Sequence, residues 1–339
     1  MQQEKYIEVE EIMYVGFEDS VESVCYEWNH VQKVVEEIRR NFDKYFQGFI
    51  ETLAGERVTD QDISVLKKNW GISEESKVSA KNLTVNYREI IQSAIESFEK
   101  DREDYEKIFD AELLEEYQED DAETFKSKVL HNECPIIRKT LANKRAKELD
   151  KYRAAFRTSD PDWLLEVVYN LCGFGDEYQN KYDPTTYETA MNFENLGMDP
   201  LDTDEYTVYG VIGGGIKTHM LYKVHPALFS NRSRNAVWAL WYLTDKKTFG
   251  CNMDSEFLMI DVHKSIVQQN YFYPYKLFHY YAFELYKMLK NKASEMDVFI
   301  DPDYRYVIVD AFLEYVADMH DEEITLLKQQ IKDGGMGFA

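Results

Sequence analysis

The residues best placed to do chemistry lie in one stretch, Gly213-Gly214-Gly215-Ile216-Lys217. Glycines let a backbone turn tightly and approach a ligand with no side chain in the way. The following Ile216 to Tyr222 reads as a helix, and the first N–H groups of a helix are open to an anion. A partly desolvated lysine beside a helix N-terminus and other cations has a lowered pKa and can attack a sugar carbon. The order is not a P-loop, because the Gly-x-x-x-x-Gly-Lys-Ser/Thr spacing is absent. It is not a dinucleotide fingerprint either, since neither a third glycine in place nor a preceding parallel-strand pattern supports one.

Charge sets this stretch apart. The chain has 339 residues, with 63 acids against 39 Lys and Arg and a formal net charge of -24. Such a balance disfavours non-specific binding to nucleic acid or anionic membranes, so contact with an anion has to come from a local patch. Residues 206–244 contain no Asp and no Glu, where an even spread would place about seven. They do contain Lys217, Lys223, Arg232 and Arg234, with His219 and His225 beside them. An isolated basic strip on an acidic chain points to an anionic partner, DNA or structured RNA. The alternative is a core segment that excludes acids. Val237-Trp238-Ala239-Leu240-Trp241 supports that for the end of the window, but the retained basic residues fit it less well.

Ile212, Gly213, Gly215, Lys217, Thr218 and Leu221 stand in an order that resembles the helix-hairpin-helix motif of DNA repair proteins, particularly the DNA glycosylase superfamily. The resemblance covers roughly a tenth of the chain. It implies that the amides of Gly213, Gly214 and Gly215 hold a DNA phosphate, with Thr218 and the flank of Lys223, Arg232 and Arg234 at the same backbone. It also implies that Lys217 is the Schiff-base nucleophile of a glycosylase or lyase, in DNA repair or defence. Met220 to Phe229 supplies the family's next helix and turn, with Pro226 inside it. The Asp that heads the following helix in the family is missing. Ser233, Arg234 and Asn235 span its place. Phosphate contact therefore carries over more fully than base excision.

Other constellations are weaker. Asp254, Glu256, Asp261 and Lys264 suggest a magnesium-dependent nuclease, but Asp261-Val262-His263-Lys264 has one residue too many between acid and lysine. Tyr271, Tyr273, Tyr275, Tyr280 and Tyr281 could stack on bases, yet the chain has 25 tyrosines, and packing is the commoner use. His131 and Cys134 have no second pair to complete a metal site. Cys25, Cys134, Cys172 and Cys251 are scattered, with no Cys-x-x-Cys. That reads as reduced thiols in a cytoplasmic protein and argues against a structural zinc site or an iron–sulfur cluster. The expectation is no metal and no cofactor. No apolar run approaches the ~18 residues that span a bilayer, so no membrane partner is expected.

The elements that have to position these residues read as mainly α. Val24, Trp28, Val31, Val35, Ile38, Phe42, Tyr45 and Phe49 form one apolar stripe at helical spacing. Thr59 and Asp62 have capping-box-like spacing before a short helix with Ile63 and Leu66. Leu83 to Phe98 marks a second long helix, continued to Phe109 and fraying over 115–121. A third region runs from about Lys139 to Phe156. Asp160 and Pro161 are a helix restart signal, whereas 173–205 reads as irregular. Glu256 to Val262 reads as a short strand or buried turn, and Leu277 to Leu289 and Val307 to Val316 as helices. The predicted organisation is a coiled-coil-like or bundled helical domain over 1–158, a helix-hairpin-helix-like domain over 159–333 with at most a few short strands, and a flexible tail over 334–339. The acidic N-terminal half offers a competing role, as an interaction scaffold for a protein partner or a DNA-mimicking inhibitor without enzymatic activity.

Overall fold

The computed structural model describes residues 21–51, 80–144, 146, 149–251, 256–261, 266–270 and 272–334. The short helix expected around Thr59 to Leu66, together with Asp254, Lys264, Tyr271 and the tail after Gly334, lies outside them. The apolar stripe near the N-terminus becomes α1 (Trp28–Glu51), which buries Val31, Val34, Val35, Ile38, Phe42, Phe46 and Phe49. The spacing of three and four puts these side chains on one face. Gly48 interrupts the stripe for a reason: a Cβ there would overlap the Tyr315 hydroxyl.

The first half continues with α2 (Ala80–Glu99), α3 (Arg102–Ile108), α4 (Ala111–Asp120) and α5 (Pro135–Ala142), with a π-helical segment, Phe125–Glu133, between α4 and α5. The expected continuous helix from Leu83 to Phe109 is thus broken after Glu99. Asp110 restarts the chain by accepting from the Leu113 N–H at 3.0 Å. The expected third helix is likewise two, α5 and α6 (Asp150–Thr158). α7 (Pro161–Lys181) starts where Asp160 accepts from the N–H groups of Asp162 and Trp163, with Pro161 in the first turn. α7 runs on through Gly173 and Gly175, which were expected in irregular chain. Gly175 is a packing position, since a Cβ there would lie 2.9 Å from His225 Nε2.

The second half adds α8 (Pro184–Glu188), three 3-10 turns between 194 and 206, then α9 (Gly214–Val224) and α10 (Arg234–Leu243). Two four-residue strands, β1 (Leu258–Asp261) and β2 (Ile266–Gln269), pair antiparallel with Leu258 opposite Gln269. α11 (Tyr275–Glu295), α12 (Arg305–Asp318) and α13 (Asp321–Gly334) follow. The fold is mainly α, with this one short hairpin among the described residues.

α1 packs on α10, α11 and α12, and α12 packs in turn on α10 and on α11. Phe42 and Phe49 both meet Phe312 at 5.4 Å between ring centres. A single apolar cluster extends from Cys25 to Ile324 and so passes across residue 158, where a domain boundary was expected. No helix among the described residues is long and apolar enough to cross a membrane.

Candidate functional site

The glycine run forms a tight entry into α9. Val208 and Ile212 pair across a turn, and Gly210 takes the left-handed conformation there, with φ of 78°. Gly213 precedes the helix in extended backbone. The requirement for glycine falls on Gly214, because a Cβ there would overlap Nη1 of Arg232. Gly213 has nothing within 4 Å of a built Cβ, and Gly215 has only an ordinary contact with the Arg232 carbonyl. The side chain that Gly214 admits is therefore this chain's own arginine.

Of the four cations expected at the surface, three are inside. Lys217 is 0% exposed, and its Nζ donates to the Leu201 carbonyl and to Thr207 Oγ1, the latter at 2.9 Å. Burial brings its pKa down to about 8, with Arg232 adding to the effect and Asp202 opposing it. Arg232 is 3% exposed and donates through Nη2 to the Asn270 carbonyl at 3.4 Å. Lys223 is 5% exposed, lies over the Phe98 ring and donates to the Phe98 carbonyl at 2.6 Å and to Asp101 at 2.7 Å. Thr218 is buried and returns its hydroxyl to the Gly214 carbonyl at 2.7 Å, while its oxygen accepts from the Arg232 N–H at 3.3 Å. Arg234 alone of the four cations is exposed, at the start of α10.

The window lacks acids of its own because neighbouring elements supply them. Asp101 comes from the turn before α3 and pairs with Lys223. Asp202 lies near Lys217 and Arg232 and accepts from the N–H groups of Tyr275 and Lys276 at 2.7 and 3.1 Å, at the start of α11. Burial still raises its carboxyl above the usual range. Asp310 and Glu314 on α12 receive Asn231 at 3.0 Å and Asn235 at 2.8 Å. Burial, with Glu314 adding, pushes Asp310 up to about 7. Ser233 caps α10 through the Ala236 N–H at 3.0 Å and also reaches Glu314 at 3.2 Å. A signal for this pairing existed in the sequence: Asn231, Ser233 and Asn235 alternate, and Asp310 and Glu314 sit four apart on one helix face.

A second polar cluster unites residues that the sequence scatters. Cys25 follows from a 3-10 turn, His30 from the first turn of α1, and Cys251 from the loop after Gly250, where φ is 88°. Their sulfur and ring-nitrogen donors all lie within 4.8 Å of one another. The two Sγ atoms are 3.7 Å apart. His30 Nε2 lies 2.8 Å from Glu256 Oε2, and Glu256 Oε1 accepts from Tyr281 at 2.7 Å and from Tyr273. Burial works against a charged His30, but the Glu256 bond and charge outweigh it and raise its pKa. The expectation that the cysteines stand apart is thus corrected for Cys25 and Cys251, whose separation of 226 residues hides a direct contact. Cys134 and Cys172 are buried elsewhere as free thiols.

Compared with known proteins, the chain matches no family model, no curated protein and no solved structure. Its own geometry defines a mainly α protein in which Lys217, Lys223 and Arg232 are drawn into the interior on and beside α9.

Proposed function

We propose that this protein is an acidic helical interaction module that binds a positively charged protein segment. The observation that carries this reading is the inward placement of Lys217, Lys223 and Arg232, which withdraws positive charge from the surface of a chain with net charge -24. Part of the exposed acidic surface lies where α4 packs against α7. Glu112, Glu115, Glu116 and Glu119 are exposed on α4, as are Asp162 and Glu166 on α7. Between the helices runs a groove of about 440 Å³ lined by Gln118, Asp162, Leu165, Glu166, Tyr169 and Asn170. Among the described residues its lining has two carboxylates and no Lys or Arg. Glu115 accepts from the Tyr169 hydroxyl at 3.1 Å and so fixes the ring at the groove's side. A lysine or arginine can lay its stem along Tyr169 and bring its charge to Asp162 and Glu166.

The test is fluorescence anisotropy of a labelled Lys/Arg-rich peptide. The expected result is binding that weakens with salt and falls about tenfold or more in the Asp162→Lys/Glu166→Lys double variant. Equal binding by the parent and the double variant would overturn the proposal. Contact with nucleic acid through the glycine hairpin is the second reading, and the exposed Arg234 is what favours it. Salt-dependent binding of duplex DNA that disappears in Arg234→Glu would support that reading instead.

A further inference from the structure

We infer that Cys25, His30 and Cys251 form a zinc site, with Glu256 positioning the histidine. This inference uses none of the residues of the acidic groove, so either proposal can fail without the other. The first argument is distance. A tetrahedral zinc ion with Zn–S bonds of about 2.3 Å holds its two sulfurs about 3.8 Å apart. The Cys25 and Cys251 sulfurs are 3.7 Å apart, already at that spacing. A disulfide would need them at about 2.05 Å. The histidine donor completes a triangle whose members all lie within 4.8 Å, a span compatible with a single ion in the middle.

The second argument is the support behind the histidine. Ligating histidines ordinarily donate their other ring N–H to a carboxylate, which fixes the tautomer and the ring plane. His30 Nε2 is bonded to Glu256 at 2.8 Å, which leaves Nδ1 with the lone pair a metal needs. Glu256 is itself held by the hydroxyls of Tyr273 and Tyr281. A carboxylate with no Lys or Arg partner among the described residues, buried to 2% exposure and served by one imidazole and two phenols, fits a support for a metal ligand. The donors are two sulfurs and one imidazole, a set that selects zinc over calcium or magnesium. Cys25 is 1% exposed while Cys251 is partly exposed, so the ion has a route from solvent and a fourth position for water. An ion there would clamp the start of α1 to the loop after α10, across 226 residues of chain.

The experiment treats the reduced full-length protein with a chelator and then adds zinc or cobalt(II) alone. The expected result is one tightly held zinc per chain by competition with a chromophoric chelator, a rise in melting temperature, and with cobalt the thiolate charge-transfer and intense visible bands of a tetrahedral ion. Cys251→Ser should remove the sulfur-to-cobalt band and the tight zinc. Cys134→Ser, which alters a thiol outside the cluster, should keep both. Glu256→Gln should weaken zinc about 10- to 100-fold while leaving the cobalt spectrum tetrahedral. The inference is overturned if the reduced protein takes up no stoichiometric zinc, if Cys251→Ser binds it unchanged, or if the cobalt complex shows no thiolate band. Circular dichroism of each variant separates loss of a ligand from loss of the fold.

Discussion

The glycine–lysine window and the cysteine–histidine cluster contrast in how they advertise themselves. The window is contiguous, carries a motif-like order and concentrates positive charge, yet its cations serve the interior: Lys217 on Leu201 and Thr207, and Lys223 on Phe98 and Asp101. The cluster has no local pattern at all, because Cys25 and Cys251 are 226 residues apart, yet it gathers three metal-type donors within 4.8 Å. Local spacing reports what the backbone does and which residues share a helix face. It says little about whether a charged side chain points out or in, since that depends on which other element lies opposite.

The strongest way to break this contrast is to remove the interior charge that Gly214 accommodates. Arg232→Ala deletes a buried guanidinium and takes from Asp202 one of the cations near it, so chemical denaturation should show a loss of about 3–5 kcal/mol. A loss below about 1 kcal/mol would mean that Arg232 is not a core residue and would return it to the list of surface contacts. Gly214→Ala should cost less, about 1–3 kcal/mol, because the end of an arginine can shift where backbone cannot. Gly213→Ala is the internal comparison: with nothing within 4 Å of its Cβ, it should be close to neutral. Equal losses at the two glycines would show that the turn, rather than Arg232, demands them.

Much of the scaffold was legible in the sequence. The stripe from Val31 to Phe49 folded as one helix face, Asp160 and Pro161 began α7, and the helices after Tyr275 and Arg305 lie where apolar periodicity put them. Breaks inside long polar helices were less so, because Asp110 caps α4 through a single side-chain bond that leaves the charge pattern unchanged. The site was harder still. Absence of acids in 206–244 reads equally as a basic strip or as core, and the deciding residues, Asp101, Asp202, Asp310 and Glu314, all lie outside the window. The cysteine contact depends on tertiary packing of α1 against the second half, which no spacing rule reaches.

The pH dependence of Lys217 is the most discriminating test, because it asks whether Lys217 behaves as an interior cation or as a nucleophile. Its folded pKa of about 8 lies below the 10.5 of an unperturbed lysine. Between those values the unfolded chain binds more protons than the folded one, so this group's contribution to stability rises with pH. Below pH 8 the full cost of burying the charge is present, and it fades as the folded lysine deprotonates. The stability difference between the parent and Lys217→Met should therefore move by about 2 kcal/mol in the parent's favour between pH 8 and 10. Measuring the difference rather than the parent alone cancels the titration of the 25 tyrosines. A flat difference would place the ammonium in water. The same pair of proteins addresses the chemistry that the hairpin resemblance implies. With Lys217 0% exposed, borohydride should trap no adduct with abasic DNA. An adduct formed by the parent and absent from Lys217→Met would mean that α9 opens to admit a sugar, and the window would then count as a site after all.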